Sequence, residues 1–196
     1  MVDYANSDQK TKDEIIQRII DRQEITDVLM RYSRGVDRID IETLAACYWP
    51  DAYEDHGVYT GPVSKFLEFI PDWEGDQDTT HVIGTIIIDF ESPTVAKTEA
   101  YVRSFYNMPN GSHEMPLSDL PEGGRQELDV GGRYLDRFEK RQGEWKIAHR
   151  TLVIDWNRLT PASSAWDTPM YQKVKHRGLK YPKDPLYTIL LKPDEQ

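Results

Sequence analysis

The chain has 196 residues, and its 24 lysine and arginine residues against 34 aspartate and glutamate residues give a net charge of −10. This length suits one domain with a sizeable core, while the acidic balance and the lack of a dense basic cluster exclude nucleic acid as a partner. The apolar runs fall far short of the roughly 20 residues that cross a bilayer, and the polar N-terminus lacks the features of a signal peptide, so we expect a cytoplasmic protein that does not contact a membrane.

Three helices are predicted in the first part of the chain. Apolar residues over 13–32 recur at spacings of three and four, which is the pattern of an amphipathic helix. Asp40 suits the N-cap of a second, short helix that must end before Pro50. A strand over 51–59 and a third helix over 61–70 complete this part of the chain.

The second half of the chain is predicted to be rich in β-structure. Residues 79–91 and 94–108 are predicted as two long strands, and the second alternates clearly between small or apolar and larger polar side chains. Residues 109–127, rich in glycine and proline, are predicted to form a long loop, and a loop of this length in a compact domain is usually a lid or a disordered excursion. A hairpin over 128–156 turns at Gln142-Gly143.

Helices followed by a long antiparallel sheet predict an α+β fold. We expect three N-terminal helices packed on one face of a strongly curved antiparallel sheet, forming a cone-shaped α+β barrel that encloses a cavity. This domain is expected to span residues 1–160. Residues 161–196 carry aromatic and proline residues without a regular period, and we expect this C-terminal extension to wrap the domain or a neighbouring subunit.

His81, which opens a predicted strand, is the first candidate for proton transfer. An imidazole acts as a general base when a carboxylate holds it in one tautomer, and Asp37, near the end of the first helix, could be that carboxylate. Each residue also has a structural interpretation, because a histidine at a strand end can simply be hydrogen-bonded and an acid at a helix end can be solvated. Tyr32 and Asp37 lie about 140° apart around an unbroken helix, so they converge only if the helix unwinds near Gly35.

Arg150 is the second candidate, on a strand whose neighbours of the same parity are apolar. It is either an edge residue with its guanidinium in water or a fixed cation in a pocket, where it would stabilise negative charge on a substrate oxygen. The strand that begins near His81 is expected to place Ile83, Thr85 and Ile87 on the same face as the histidine.

A metal site is not expected. Asp51, Glu54, Asp55 and His56 lie close together in the sequence, but strand alternation places Glu54 and His56 on one face and the two aspartates on the other. Cys47 is the only cysteine, so it cannot form an internal disulfide, and its apolar neighbours predict a buried, unreactive thiol.

Three segments, in this order, resemble the SnoaL-like branch of the nuclear-transport-factor-2-like superfamily. They are IIQRIIDRQEITDVLMRYSRGVDRIDIETLAACYWPDAYEDH at 15–56, TTHVIGT at 79–85 and RYLDRFEKRQGEWKIAHR at 133–150. The resemblance is to lyases of that branch such as hexachlorocyclohexane dehydrochlorinase and bile-acid 7α-dehydratase, and more distantly to scytalone dehydratase. It implies the cone-shaped fold and a homo-oligomer, with a trimer favoured and a dimer as the alternative.

In these lyases an aspartate at the end of the first helix pairs with a histidine that opens a strand, and the histidine removes a proton without a metal or an organic cofactor. The matching positions are Asp37 and His81, and the resemblance adds Arg150 and Tyr32 as further catalytic residues. Four aromatic residues are expected to contact the substrate, namely Tyr48, Trp49, Tyr53 and Tyr101.

The resulting hypothesis is a cofactor-independent lyase that acts on a small aromatic or alicyclic molecule and eliminates water or a small aldehyde. A ketone isomerase or a dehydrohalogenase would use the same residues. The alternative from another class is a protein without catalysis, either a ligand-binding module or the small subunit of a ring-hydroxylating dioxygenase.

Overall fold

The computed structural model describes residues 9–121 and 123–191, and the structural statements below refer to these residues. Its helices are α1 (Gln9–Arg38), α2 (Ile41–Ala46) and α3 (Val63–Glu74). Its strands are β1 (Tyr48–Asp55), β2 (Thr60–Pro62), β3 (Asp78–Ser92), β4 (Val95–Pro109), β5 (Arg125–Arg141) and β6 (Glu144–Pro161). Short 3₁₀ turns lie at Ser112–Glu114 and Tyr171–Lys173, and a single π turn lies at Leu186–Leu190.

The six strands form one sheet in the order β2-β1-β6-β5-β4-β3. All neighbouring strands run antiparallel except β1 and β6, which are parallel. The core lies between the helices and the inner face of this curled sheet, where residues such as Leu29, Phe66 and Phe138 are fully buried. This arrangement confirms the α+β fold predicted from the order of the elements.

The first helix ends where the sequence changes from an apolar stripe to short polar residues. Ile39 adopts a positive φ of 53°, and the backbone N–H of Asp40 donates to the carbonyl of Gly35 at 2.9 Å, which is the hydrogen bond that closes a Schellman motif. The side chain of Asp40 then accepts from the backbone N–H of Thr43 at 3.0 Å. Asp40 is therefore the N-cap of α2, as predicted.

Gly35 does not unwind the helix. The helix α1 is continuous through this position to Arg38, so the prediction of a break near Gly35 is wrong. A Cβ atom on Gly35 would lie 3.0 Å from both the Cβ and the backbone nitrogen of Leu44. Because Gly35 has no side chain, α2 can pack closely against α1 at this position. The glycine does not bend the helix.

The strand β3 contains a register shift that changes which residues face inward. Its pairing with β4 is irregular between Ile83 and Ile86, so inward-facing positions continue at Ile86 and Ile88. Ile88 is accordingly buried, whereas Ile87 is 44% exposed. The expectation that Thr85 and Ile87 share the face of His81 is wrong, because a β-bulge inverts the alternation.

The other local predictions differ mainly at their boundaries. The Gln142-Gly143 turn has positive φ at both residues, as a two-residue hairpin turn of type I′ requires. The predicted loop over 109–127 is shorter than expected, since β4 continues to Pro109 and β5 begins at Arg125.

The C-terminal segment after β6 returns to the end of α1. The backbone N–H of Tyr181 donates to the carbonyl of Arg38 at 2.7 Å, and the hydroxyl of Tyr187 donates to Asp40 at 2.7 Å. Residues 192–196, which the expected extension also includes, lie outside the described part. Within the described part, no helix is both long enough and apolar enough to cross a bilayer.

Candidate active site

Asp37 and His81 are in direct contact. Oδ1 of Asp37 lies 2.8 Å from Nδ1 of His81, and Oδ2 accepts from the backbone N–H of the same histidine at 3.0 Å. Both side chains are nearly buried, with 9% and 5% exposure. The last turn of α1 thus holds its carboxylate against the beginning of β3 at two points, which fixes the position and the orientation of the imidazole.

The contact also fixes the charge of Asp37. Burial alone would raise the pKa of this carboxyl, but the hydrogen bonds and the charge of His81 outweigh burial and lower the pKa of Asp37 below its usual value. The ionised carboxylate then accepts the proton of Nδ1, which leaves Nε2 of the neutral imidazole as a proton acceptor.

Tyr106 of β4 occupies the other side of the histidine. Its hydroxyl lies 3.1 Å from Nε2 of His81, and the two rings meet edge to face at 87°. The sequence interpretation did not include this residue, although Tyr106 has the same parity in β4 as the inward-facing Ala96, Ala100 and Val102. In a strand with a regular register, every second residue faces inward. This alternation in β4 was therefore the sequence signal that could have identified Tyr106.

A cation from the C-terminal segment also reaches the pair. Nζ of Lys180 donates to the backbone carbonyl of Asp37 at 3.1 Å and to the hydroxyl of Thr79 at 3.4 Å. No pattern near Lys180 in the sequence indicated this contact, because it depends on the path of an irregular segment.

Arg150 is a buried cation rather than an edge residue. Its Nε and Nη2 donate to the two carboxylate oxygens of Asp136 at 2.7 Å each, and both side chains are 0% exposed. The guanidinium lies between two aromatic rings, 4.0 Å from that of Tyr32 and 3.9 Å from that of Tyr134. Burial by itself would lower the pKa of Arg150, but Asp136 and the other neighbours raise it well above its usual value, so the guanidinium keeps its charge.

Strand register places a second carboxylate next to this arginine. Glu54 pairs with Arg150 across β1 and β6, and Asp136 pairs with Arg150 across β5 and β6. The three residues form a polar row across the inner face of three neighbouring strands, and each is buried. We refer to Glu54, Arg150 and Asp136 below as the polar row.

His56, one residue past β1, contacts the end of the polar row. Its Nδ1 lies 2.6 Å from Oε1 of Glu54, and its Nε2 lies 3.5 Å from the hydroxyl of Tyr32. Asp51 instead pairs with Arg141 on the surface. The structure therefore separates the acidic residues of this segment as strand alternation predicted, and the described residues contain no group of three or more His, Cys, Asp or Glu side chains suited to a metal ion.

The four residues predicted to be catalytic fall into two clusters. Asp37 and His81 form one, whereas Tyr32 lies with Arg150 and makes edge-to-face contacts with Tyr48 at 6.0 Å and Tyr134 at 5.5 Å. Tyr32 does not turn toward Asp37, because the helix between them is unbroken.

Only one of the four expected substrate contacts faces the interior. Tyr48 is buried beside Tyr32, whereas Tyr53 is 43% exposed and stacks on His149, and Tyr101 is 48% exposed on the outer face of the sheet. Trp49 donates its Nε1–H to a backbone carbonyl of β5 and lies beside two cationic side chains. Of the four aromatic residues, Tyr48 alone is buried, and Tyr53 and Tyr101 lie on the outer face of the sheet.

A surface cleft lies close to the Asp37–His81 pair. It has a volume of about 840 Å³, and its walls come from the starts of β3 and β5, the end of β4 and the C-terminal segment. Arg38, Thr79, Thr80 and Lys180 line it, and these residues are the immediate chain neighbours or contacts of the pair. Asp37 and His81 themselves lie behind this wall.

Comparisons with known proteins agree with this fold. A profile of the SnoaL-like domain matches residues 17–151. Among solved structures, a type 2 hexachlorocyclohexane dehydrochlorinase is 21% identical, with a TM-score of 0.63, covering 76% of this chain and 93% of that chain. A scytalone dehydratase-like protein from Novosphingobium aromaticivorans is 22% identical, with a TM-score of 0.58 and coverage of 76% and 93%.

A third solved structure, a type 3 hexachlorocyclohexane dehydrochlorinase from Novosphingobium barchaimii, is 21% identical, with a TM-score of 0.60 and coverage of 76% and 94%. No curated protein matches this sequence. The structural similarities, at such low identities, concern the fold, whereas the domain profile spans most of the chain from α1 to β6 and includes Asp37, His81 and Arg150. The chain therefore belongs to the SnoaL-like domain family, which lies within the nuclear-transport-factor-2-like superfamily.

Proposed function

We propose that the protein is a cofactor-independent lyase that acts on a small aromatic or alicyclic substrate, with His81 as the general base. The observation that carries this proposal is the double contact of Asp37 with the ring and the backbone of His81. A carboxylate that holds Nδ1 leaves Nε2 as the basic atom and stabilises the imidazolium that forms when a proton is taken.

The substrate would meet His81 at Nε2. The hydroxyl of Tyr106 lies at this nitrogen, so a substrate has to bring its proton in beside that hydroxyl or displace it. Two buried donors could bind the oxygen that gains charge or leaves, namely the phenol of Tyr32 and Nη1 of Arg150, an atom for which the described residues provide no hydrogen-bond partner. Charge on the departing oxygen favours such donors in a site that excludes water.

The fold neighbours support elimination as the reaction type. Their names describe loss of hydrogen chloride in one case and of water in the other, and both have the fold of this chain. The acceptor at Nε2 of His81 and the two donors, Tyr32 and Arg150, suit loss of water. They also suit loss of a small aldehyde, in which the proton comes from a hydroxyl group instead of carbon.

The test is turnover of a panel of benzylic β-hydroxy ketones, including the aldol adduct of benzaldehyde and acetone. Loss of water gives a conjugated enone and loss of an aldehyde releases benzaldehyde, so absorbance and chromatography separate the two reactions. His81→Asn and Asp37→Asn should each lower kcat by about 10²-fold or more, as expected when a general base or its orienting group is removed.

His149→Asn is the matched control, because this histidine is exposed and stacks on Tyr53 on the outer side of the sheet. It should leave turnover unchanged. A folded wild-type protein that converts no member of the panel, or a His81→Asn variant with full activity, would contradict the proposed function.

A further inference from the structure

We propose that Glu54 and His56 form a second acid–base pair, in which His56 supplies a proton to the leaving oxygen while His81 removes one from the substrate. This inference rests on the proposed lyase function and assigns the step that His81 alone does not perform. In this reading Glu54 is a positioning residue, since it acts through His56.

Glu54 and His56 form a close contact at one strand end, without the hydrogen-bond geometry that joins Asp37 to His81. Glu54 is fully buried, whereas the side chain of His56 is 16% exposed and so retains access to space beyond the protein interior. One ring nitrogen of His56 faces Oε1 of Glu54 at 2.6 Å, and the other faces the hydroxyl of Tyr32 at 3.5 Å. Stacking on Phe66 at 5.0 Å holds the plane of the ring.

The hydrogen bonds of the polar row leave Glu54 as the carboxylate next to His56. The row contains two carboxylates and one guanidinium, and Asp136 receives both of the hydrogen bonds that Arg150 makes. Apart from the contact with His56, neither oxygen of Glu54 has a hydrogen-bond partner among the described side chains and backbone. An unpaired buried carboxylate is costly, so the contact with His56 is the one that offsets the burial of Glu54.

Tyr32 connects this pair to the interior. Burial, with the neighbouring Tyr134, raises the pKa of the Tyr32 phenol well above its usual value, so this group remains a neutral donor at physiological pH. Its hydroxyl can donate to a substrate oxygen and take a replacement proton from Nε2 of His56. The guanidinium of Arg150, over the ring of Tyr32, opposes the build-up of negative charge during this transfer.

The elimination of water then balances in protons and electrons. Nε2 of His81 takes the carbon-bound proton, and the electron pair of that bond forms the new double bond. The carbon–oxygen bond breaks with its own electron pair, and the leaving oxygen takes the proton of Tyr32, which His56 replaces. Exchange with water afterwards removes the extra proton from His81 and returns one to His56.

The experiment compares two leaving groups on one carbon skeleton. One probe is the β-hydroxy ketone of the panel with the highest turnover, and the other is its nitrophenyl ether, which leaves as a stable phenolate that needs no protonation. For His56→Asn we expect a loss of about 10²-fold on the hydroxy ketone and less than about 5-fold on the ether, because only hydroxide requires an acid. Glu54→Gln should show the same selectivity to a smaller degree, and His81→Asn should lose both reactions.

The ratio of the two rates is measured within one variant, so a partly folded preparation lowers both rates and leaves the ratio unchanged. An equal loss on both probes in His56→Asn, or no loss on either, would overturn the second pair while the lyase function stands. If His56→Asn does not fold, the ratio for Glu54→Gln decides in the same way. If the wild-type protein eliminates neither leaving group, the proposed function itself fails, and the second pair fails with it.

Discussion

Replacing Arg150 with methionine should destabilise the protein strongly, because it removes the cation of the polar row and leaves its carboxylates behind. Asp136 would lose both of its 2.7 Å hydrogen bonds in a place where its side chain has no exposure to water. Removing one partner of a buried ion pair costs about 3–5 kcal/mol. For a domain of this size, about 2–4 °C per kcal/mol converts this loss to a fall in Tm of roughly 6–20 °C.

Arg133→Met provides the matched control for this experiment. Arg133 also contacts two carboxylates, Glu99 and Asp155, but its side chain is 28% exposed on the outer face of the sheet. Its loss should cost less than about 1 kcal/mol. Urea denaturation at neutral pH measures both variants, and a double variant of Arg150→Met with Asp136→Leu should recover most of the stability. An Arg150→Met variant that loses less than about 1 kcal/mol would refute the reasoning.

Three other predictions concern stability and reactivity. Gly35→Ala should lower the free energy of unfolding by about 1 kcal/mol, because the new methyl group lies 3.0 Å from atoms of Leu44. This loss is expected despite the better helix propensity of alanine. An increase in the urea midpoint would contradict the packing role of the glycine. Because the pKa of Asp37 is lowered in the folded state, its contribution to stability is present above the ordinary pKa of about 4 and is lost as the pH falls below it toward the lowered value. The Asp37→Asn variant should therefore show a weaker dependence of the urea midpoint on pH over the acidic range, and an unchanged dependence would count against the hydrogen bonds of Asp37 with His81. Burial raises the pKa of the Cys47 thiol to about 11, so a thiol reagent should label it only after unfolding, and rapid labelling of the native protein would show that the burial is wrong.

Local patterns predicted much of the fold. The helix α1, the N-cap at Asp40 and the turn at Gln142-Gly143 each depend on residues that are neighbours in sequence, and the structure has all three. The apolar stripe of α1 is buried only in its second half, since Ile16, Ile19 and Ile20 are exposed. The contact of Asp37 with His81 required more than a pattern, since the two residues lie on different elements. Their chemical complementarity and the family resemblance indicated them together.

The predictions that were wrong depend on features of the fold that cannot be inferred from residues close together in the sequence. The bulge in β3 inverted the alternation after Ile83. The glycine at position 35 was interpreted as a source of flexibility, although its role is a close contact with α2. Lys180 was missed because its contact depends on the path of the irregular C-terminal segment.

The parallel pairing of β1 with β6 determines when the buried charges of the polar row can be neutralised during folding. Glu54 and Arg150 are separated by roughly 100 residues, and contacts of such large sequence separation form late because the chain between them must first be ordered. During synthesis, Glu54 and His56 emerge long before the strand that brings the guanidinium, so they stay hydrated until β6 is inserted next to β1. Pairing of β6 with β1 therefore brings the guanidinium to Glu54, and it is also the link that joins β1 and β2 to the other strands of the sheet.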